Sequence, residues 1–404
     1  MGLNDTPSAN RVHIGFFGRR NAGKSSLVNA VTGQDLALVS EVKGTTTDPV
    51  YKAIELLPLG PVMIIDTPGI DDEGALGELR VSRARRVLNK TDVAVLVLDS
   101  DNSTDKALFP AEKELIAIFK EKKIPFIIVH NKCDLFMNAG GASAAPLAAA
   151  LPEALPVSAQ TGYNINLLKE KIAALALTGE PEKRLVADLI HPLDFVVLVI
   201  PIDKAAPKGR LILPQQQVIR DILEAGAVAV SVRDFELKDT LARLGTKPAL
   251  VITDSQAFAQ VSAETPPEIP LTSFSILFAR YKGWLETAVR GVAALDTLSD
   301  GDKILICEGC THHRQCDDIG TVKLPRWIRN HTGKEPEFCF RSGGDFPEDL
   351  SLYKMVIHCG ACMLNEREMQ YRRRCAEDQN IPFTNYGTTI AHIQGILQRS
   401  IAML

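Results

Sequence analysis

The sequence predicts an α/β protein built from three consecutive blocks, and three observations carry that expectation. Strand-like apolar runs alternate with helix-like stretches from residue 11 to about residue 175. The alternation resumes near Asp194, beyond the polar segment TGEPEKR. Seven of the eight cysteines lie in a last stretch, where the strand-like runs KILI and YKMVI each lead into a cysteine cluster. Alternating strand and helix patterns argue for a mostly parallel sheet covered on both faces.

In the first block, residues 1–177, strands are expected over 11–17, 61–66, 92–99 and 124–130, with helices over 78–89 and 111–122. Residues 136–152 are rich in Ala, Gly and Pro and read as a loop or a poorly ordered insertion. The second block, 183–270, runs FVVLVIPID, PQQQVIRDILEAG, AVAVSVR, DTLARLG and PALVITD, again in α/β alternation. SAETPPEIP marks its end, and the third block is 271–404. No internal repeat is visible in the sequence.

At 404 residues the chain exceeds one ordinary core. Hydrophobic residues at 46% and charged residues at 23% suit a soluble globular protein. The net charge of −4 gives no general attraction to nucleic acid or anionic membrane, so neither partner is expected. The longest apolar runs are strand-length, far below a membrane span. MGLNDTPSAN lacks the regions of a signal peptide. A cytoplasmic protein with reduced thiols is therefore expected, its cysteines being metal ligands or buried thiols rather than disulfides.

Gly18-Arg19-Arg20-Asn21-Ala22-Gly23-Lys24-Ser25 follows a strand and opens a helix, the context a phosphate-binding loop needs. Its amides and the helix N-terminus supply positive potential; Lys24 is placed to reach the β- and γ-phosphates and Ser25 to bind Mg²⁺, with Ser26 beside it. Asp66-Thr67-Pro68-Gly69 ends a strand: Asp66 can hold Mg²⁺ through water, and the Gly69 amide can sense the γ-phosphate. Thr46, in Gly44-Thr45-Thr46-Thr47-Asp48, can complete the Mg²⁺ shell. Lys24, Thr46, Asp66 and Gly69 form the expected hydrolytic set. Asn131-Lys132-Cys133-Asp134 follows another strand, and its carboxylate can accept two N–H bonds from guanine, which adenine cannot offer. Ser158 and Ala159 suit a backbone contact to the guanine O6. These elements in this order resemble the Era-like and MnmE-like GTPases over residues 11–175. Ile70 stands where Ras-like proteins place a water-orienting Gln. Asn21 looks like the asparagine by which MnmE-like GTPases bind K⁺, an ion that can neutralise developing charge. The resemblance implies slow hydrolysis of GTP, stimulated by K⁺.

In the third block, Cys307-Glu308-Gly309-Cys310-Thr311-His312-His313 and His358-Cys359-Gly360-Ala361-Cys362 both follow strand-like runs. Such spacing suits a structural zinc site or an iron–sulfur cluster, and does not decide between them. With LPRWIRNHTG and PIDKAAPKGRLILPQQ, these clusters resemble the HydF family of FeFe-hydrogenase maturation GTPases over nearly the whole chain. The resemblance implies a 4Fe-4S cluster on Cys310, Cys359 and Cys362 and a homodimer formed through the middle block. It also implies a scaffold that accepts a di-iron precursor and passes it to apo FeFe-hydrogenase, with the radical-SAM maturation enzymes as further partners. His312 or His358 is a candidate for a fourth, reversible iron position, Asp203 a weaker one. Cys307 reads as a strand-end thiol, and Cys316, Cys339 and Cys375 as structural. The basic pieces 323–329 and 371–374 read as solvated helix faces or docking surfaces for an acidic protein. The competing expectation is an Era- or MnmE-like GTPase acting on ribosome or tRNA, with a zinc-stabilised C-terminal domain.

Overall fold

The computed structural model describes residues 6–34, 49–69, 86–99, 108–137, 153–176, 183–201, 211–309 and 318–404. The chain forms two compact units, Met1–Glu180 and Pro181–Leu404. Among the described residues no helix is long and apolar enough to cross a membrane. Most of the Ala/Gly/Pro-rich stretch 136–152 lies outside the described residues.

Among the described residues the first unit holds a six-stranded sheet. Its strands are β1 (Val12–Phe17), β2 (Val50–Leu56), β3 (Gly60–Asp66), β4 (Val93–Asp99), β5 (Phe126–Asn131) and β6 (Leu155–Pro156), in the order β2-β3-β1-β4-β5-β6. Every pairing is parallel except β2 with β3, which a short connection joins as a hairpin. Alternate side chains of β1 enter opposite cores. Ile14 and Phe16 pack with α1 (Lys24–Thr32) and α4 (Ile165–Ala176), whereas Phe17 packs with α2 (Pro110–Glu121) through Phe119. Both faces of the sheet are thus covered, which is why its strands read as continuous apolar runs.

Among the described residues the second unit contains two four-stranded, all-parallel sheets. The first comprises β7 (Phe195–Val199), β8 (Val228–Val232), β9 (Leu250–Thr253) and β10 (Leu271–Ser273), ordered β10-β9-β7-β8. The second comprises β11 (Lys303–Glu308), β12 (Glu337–Ser342), β13 (Met355–His358) and β14 (Phe383–Asn385), ordered β12-β11-β13-β14. Numbered within each half, both sheets have the order 2-1-3-4. The second unit is therefore a topological duplication, which the sequence does not betray because topology survives where side-chain identity does not.

Two sequence expectations change here. Leu271–Ser273, assigned to the third block, pairs with β9 and forms an edge of the middle sheet. The middle and third blocks are also not separate cores. Val197, Val199 and Val251 of the first sheet and Ile304, Ile306, Met355 and Ile357 of the second belong to one apolar cluster. The alternate residues Val196 and Leu198 face a core with α5 (Leu213–Glu224) and α8 (Phe274–Tyr281), while Leu305 and Val356 face one with α9 (Leu285–Gly291) and α11 (Glu366–Asp378). Period-2 alternation inside buried strands thus joins the two sheets.

Candidate functional site

In the first unit the nucleotide motifs gather at the carboxyl ends of β1, β3, β5 and β6, where open α/β sheets carry their sites. Gly23 caps α1 in the left-handed region, at φ +83°, and a Cβ there would stand 2.3 Å from Asn131 Nδ2. Gly18, at φ +148°, is as constrained: its Cβ would meet the Val97 carbonyl oxygen at 2.2 Å. Only glycine lets the loop pass so close to its neighbours. Lys24 is buried and donates to the Gly18 and Arg19 carbonyl oxygens at 3.0 and 2.8 Å, bridging the loop that would hold phosphate. Ala22 is buried, while Asn21 is exposed and left-handed, at φ +62°.

The Ser25 hydroxyl donates to Asp66 Oδ2 at 2.6 Å. Asp66 Oδ1 is buried with no hydrogen-bond partner among the described residues. Burial raises the Asp66 pKa, opposed by the Ser25 hydrogen bond and the Lys24 charge. A hydroxyl beside a buried, half-satisfied carboxylate is a donor set that fits Mg²⁺ with its waters. Gly69 lies against the phosphate loop, where a Cβ would approach the Arg20 amide nitrogen to 2.9 Å. Ser26 is half-buried in the first turn of α1. Thr46 and Ile70 lie outside the described residues.

Asn131 is 1% exposed and knits the site together. Its amide donates to the Ala22 carbonyl oxygen at 3.0 Å, and its Oδ1 accepts the Ala159 N–H at 3.1 Å. The Ala159 amide, read from sequence as a guanine contact, is therefore engaged by Asn131 here. Lys132, at φ +63°, forms an ion pair with Asp99 at 2.8 Å. Asp134 opens α3 (Asp134–Met137) half-buried, and Ser158 is buried with its Oγ accepting the Thr161 N–H. Asp99 is a part of this site that no motif signals, since it acts through Lys132.

In the second unit, β11 has β12 on one side and β13 on the other, so the strand order reverses between β11 and β13. Cys307, the last but one residue of β11, pairs with His358, which ends β13. Cys359 follows at once, at this switch point. Its Sγ accepts N–H bonds from Gly309 (3.1 Å) and Ala361 (3.4 Å). Burial raises the Cys359 thiol and takes Cys362 up to about 11. Ligation would deprotonate both, so metal binding here releases protons. Backbone amides aimed at a sulfur are also the contacts that set the potential of an iron–sulfur cluster. The residues present therefore fit such a group. Cys310, His312, Cys316 and Asp203 lie outside the described residues.

Cys307 is fully buried among Leu305, Val356 and Phe383, and desolvation pushes its thiol up to about 12. Cys339 and Cys375 pack against the same cluster. His358 is also fully buried. Its Nδ1 lies 3.0 Å from the Cys359 carbonyl oxygen and its Nε2 3.0 Å from Arg372 Nη1, so both ring nitrogens are engaged within the fold. Arg372 corrects a sequence expectation. In the basic run 371–374 it is not on a solvated face but 1% exposed, paired with buried Glu368 at 2.8 Å and donating to the Gly343 carbonyl oxygen. Lys282 is another residue that sequence reasoning missed. Its buried ammonium donates to the Ala361 and Leu364 carbonyl oxygens, holding the Cys359–Cys362 loop from a helix end far away in sequence.

Comparison with known proteins assigns these parts. A 50S ribosome-binding GTPase model matches residues 13–132. The hydrogen maturase F dimerization domain matches 185–283, and its tetramerization domain 286–403. Among curated relatives, the tRNA modification GTPase MnmE of Xanthomonas euvesicatoria is 36% identical over 167 residues, 41% of this chain and 34% of that protein. MnmE of Desulfotalea psychrophila is 30% identical over 244 residues, 59% and 48% of the two chains. The chain thus spans about a third to a half of the length of these relatives. Among solved structures, a variant of Era from Aquifex aeolicus bound to GDP and aluminium fluoride is 22% identical, with a TM-score of 0.36 over 55% of this chain and 92% of that one. The two hydrogen maturase F domains together match more than half of the chain and lie C-terminal to the GTPase match, so the chain belongs to the HydF-type hydrogenase maturation GTPases.

Proposed function

We propose that this GTPase of hydrogenase maturation is a scaffold that holds a 4Fe-4S cluster on Cys310, Cys359 and Cys362. It would receive a di-iron precursor and deliver it to apo FeFe-hydrogenase, with the radical-SAM maturation enzymes as further partners. The observation that carries this reading is the Cys359 sulfur, which receives two backbone N–H bonds at the switch point of the second sheet. When bound, the cluster supplies an iron with one exchangeable position, because three thiolates cannot fill four irons. Around it, Lys282 fixes the loop carbonyls, and Arg372 with Glu368 fixes His358. Cys307, enclosed in the core, is left out of the ligand set.

In the first unit, Lys24 would bind the β- and γ-phosphates, Ser25 and Thr46 would hold Mg²⁺, and Asp66 would orient its water. Asp134 would read guanine, while Asn131 braces the loops. Mg²⁺ supplies charge neutralisation between the phosphates, and K⁺ at Asn21 would add to it. Without a Gln after Gly69, hydrolysis would be slow, suiting a switch near Thr46 and Gly69 that alters partner contacts. A homodimer in the cytoplasm is the expected form, in keeping with the dimerization and tetramerization domains.

The likeness to tRNA modification GTPases favours a second reading, action on tRNA or ribosome with zinc on the cysteines. Metal analysis after anaerobic purification separates the two. About four irons and four sulfides per chain, with an electron paramagnetic resonance signal lost in Cys359→Ser and kept in Cys307→Ser, is the expected result. Stoichiometric zinc and no reconstitutable cluster would overturn the scaffold.

A further inference from the structure

We infer that Asp296, His331 and His392 form a second metal site, for a divalent first-row transition ion of the zinc class, independent of the cysteines. The donors come from three separate elements. Asp296 lies in the 3-10 helix Val292–Thr297, His331 in the last turn of α10 (Leu324–Thr332) and His392 in the last turn of α12 (Tyr386–Ile393). His331 Nε2 is 3.2 Å from Asp296 Oδ1, and His392 Nε2 is 3.2 and 3.0 Å from Oδ1 and Oδ2. One ligand atom from each residue falls in a group within 4.8 Å of one another. Metal–ligand bonds of about 2.0–2.1 Å place neighbouring donors about 2.9–3.4 Å apart, so each histidine already stands at ligand spacing from the Asp296 carboxylate.

The scaffold is set before any ion arrives. The three elements pack on one another, and Val292, Leu295, Ile328 and Ile390 anchor them in the shared core at 0–2% exposure. The imidazole planes meet at 69° with centroids 5.7 Å apart, and each ring turns its Nε2 edge to the carboxylate. Two imidazoles and one carboxylate suit Zn²⁺, Co²⁺, Ni²⁺ or Fe²⁺, whereas Mg²⁺ and Ca²⁺ prefer oxygen alone. The His392 and His331 contacts also hold the Asp296 carboxyl below the ordinary range, keeping it ionised. All three side chains are partly open to solvent, which leaves room for water or a further ligand on the metal. Both helices run back from strand ends along the second sheet, so their last turns lie toward its amino edge, away from the carboxyl edge that carries Cys359.

The competing explanation is a hydrogen-bonded triad without metal. Titration of the full-length, nucleotide-free protein with Co²⁺, after its cysteine site has been filled, distinguishes the two. One Co²⁺ per chain is expected, with visible ligand-field bands and no thiolate charge-transfer band. Affinity is expected to fall at least about tenfold in His331→Gln and in His392→Gln. The isosteric Asp296→Asn variant, which preserves the shape of the site, should fall likewise. Cobalt-edge X-ray absorption of the Co²⁺-loaded wild type should show nitrogen and oxygen at about 2.0–2.1 Å and no sulfur at about 2.3 Å. No bound Co²⁺, unchanged binding in the three variants, or a sulfur shell around cobalt would overturn the inference. The test is independent of whether the cysteines hold iron or zinc.

Discussion

Gly23 is where one residue decides the nucleotide site. Its φ of +83° and the 2.3 Å separation that a Cβ would have from Asn131 Nδ2 exclude a side chain on two grounds. The left-handed conformation costs a non-glycine residue about 1–2 kcal/mol, and the clash would push Asn131 away from the Ala22 and Ala159 contacts it makes. Gly23→Ala is therefore expected to weaken GTP binding at least about tenfold in a fluorescent-nucleotide titration. An unchanged Kd would show that the loop yields without loss. Asn131 belongs to the guanine motif by sequence, yet its side chain braces backbone on both sides, and Asp134 is the side chain that remains for the base.

At the scale of elements, β13 and α11 are locked together by His358, Arg372 and Glu368. Arg372 touches all the partners: His358 at 3.0 Å, Glu368 at 2.8 Å and the Gly343 carbonyl oxygen at 2.6 Å. Arg372→Met would leave Glu368 buried without its cation, and a broken buried pair typically costs about 3–5 kcal/mol. Urea unfolding followed by tryptophan fluorescence should show that loss; a change below about 1 kcal/mol would mean that the pair is not stabilised by its burial. Acid should weaken the same lock. Desolvation, with the Arg372 charge, lowers the His358 pKa from an ordinary 6.5 to about 3. The unfolded chain binds that proton more readily than the folded one. The contribution is complete above about pH 6.5 and is lost as pH falls from there toward about 3, with a slope of at most about 1.4 kcal/mol per pH unit. His358→Asn should flatten that acid limb in the cluster-free protein, and an unchanged limb would assign it to other groups.

For the whole molecule, the two units have separate apolar clusters, so two unfolding transitions are expected by calorimetry. Trp284 and Trp327, the two tryptophans of the chain, both lie in the second unit and report on it selectively. GTP with Mg²⁺ at about a hundred times its Kd stabilises the form that binds it by about 2.7 kcal/mol. That gain should appear in the calorimetric transition of the first unit and leave the tryptophan-monitored midpoint unmoved. A nucleotide-dependent shift of the tryptophan signal would instead measure the coupling between GTPase and cysteine unit. The middle and third blocks, by contrast, should unfold as one, because Val197 and Val251 share their cluster with Ile304 and Ile357.

The sequence by itself determined the α/β class, the order of the nucleotide motifs and the place of the cysteines after strands. Each depends on neighbours in the chain: apolar runs of strand length, glycines at fixed offsets, and Cys-x-x-Cys spacing. Tertiary structure alone decided the rest. The topological duplication and the transfer of Leu271–Ser273 to the middle sheet depend on which strands pair. Burial of Arg372, against its basic surroundings, depends on Glu368, His358 and Gly343 meeting around it. The grasp of Lys282 on residues 79 and 82 positions away, and the meeting of Asp296 with His331 and His392, have no local signature. Local patterns carry the periodicity and turn chemistry of a segment, but a side chain's partners across the fold exist only after the sheets have assembled.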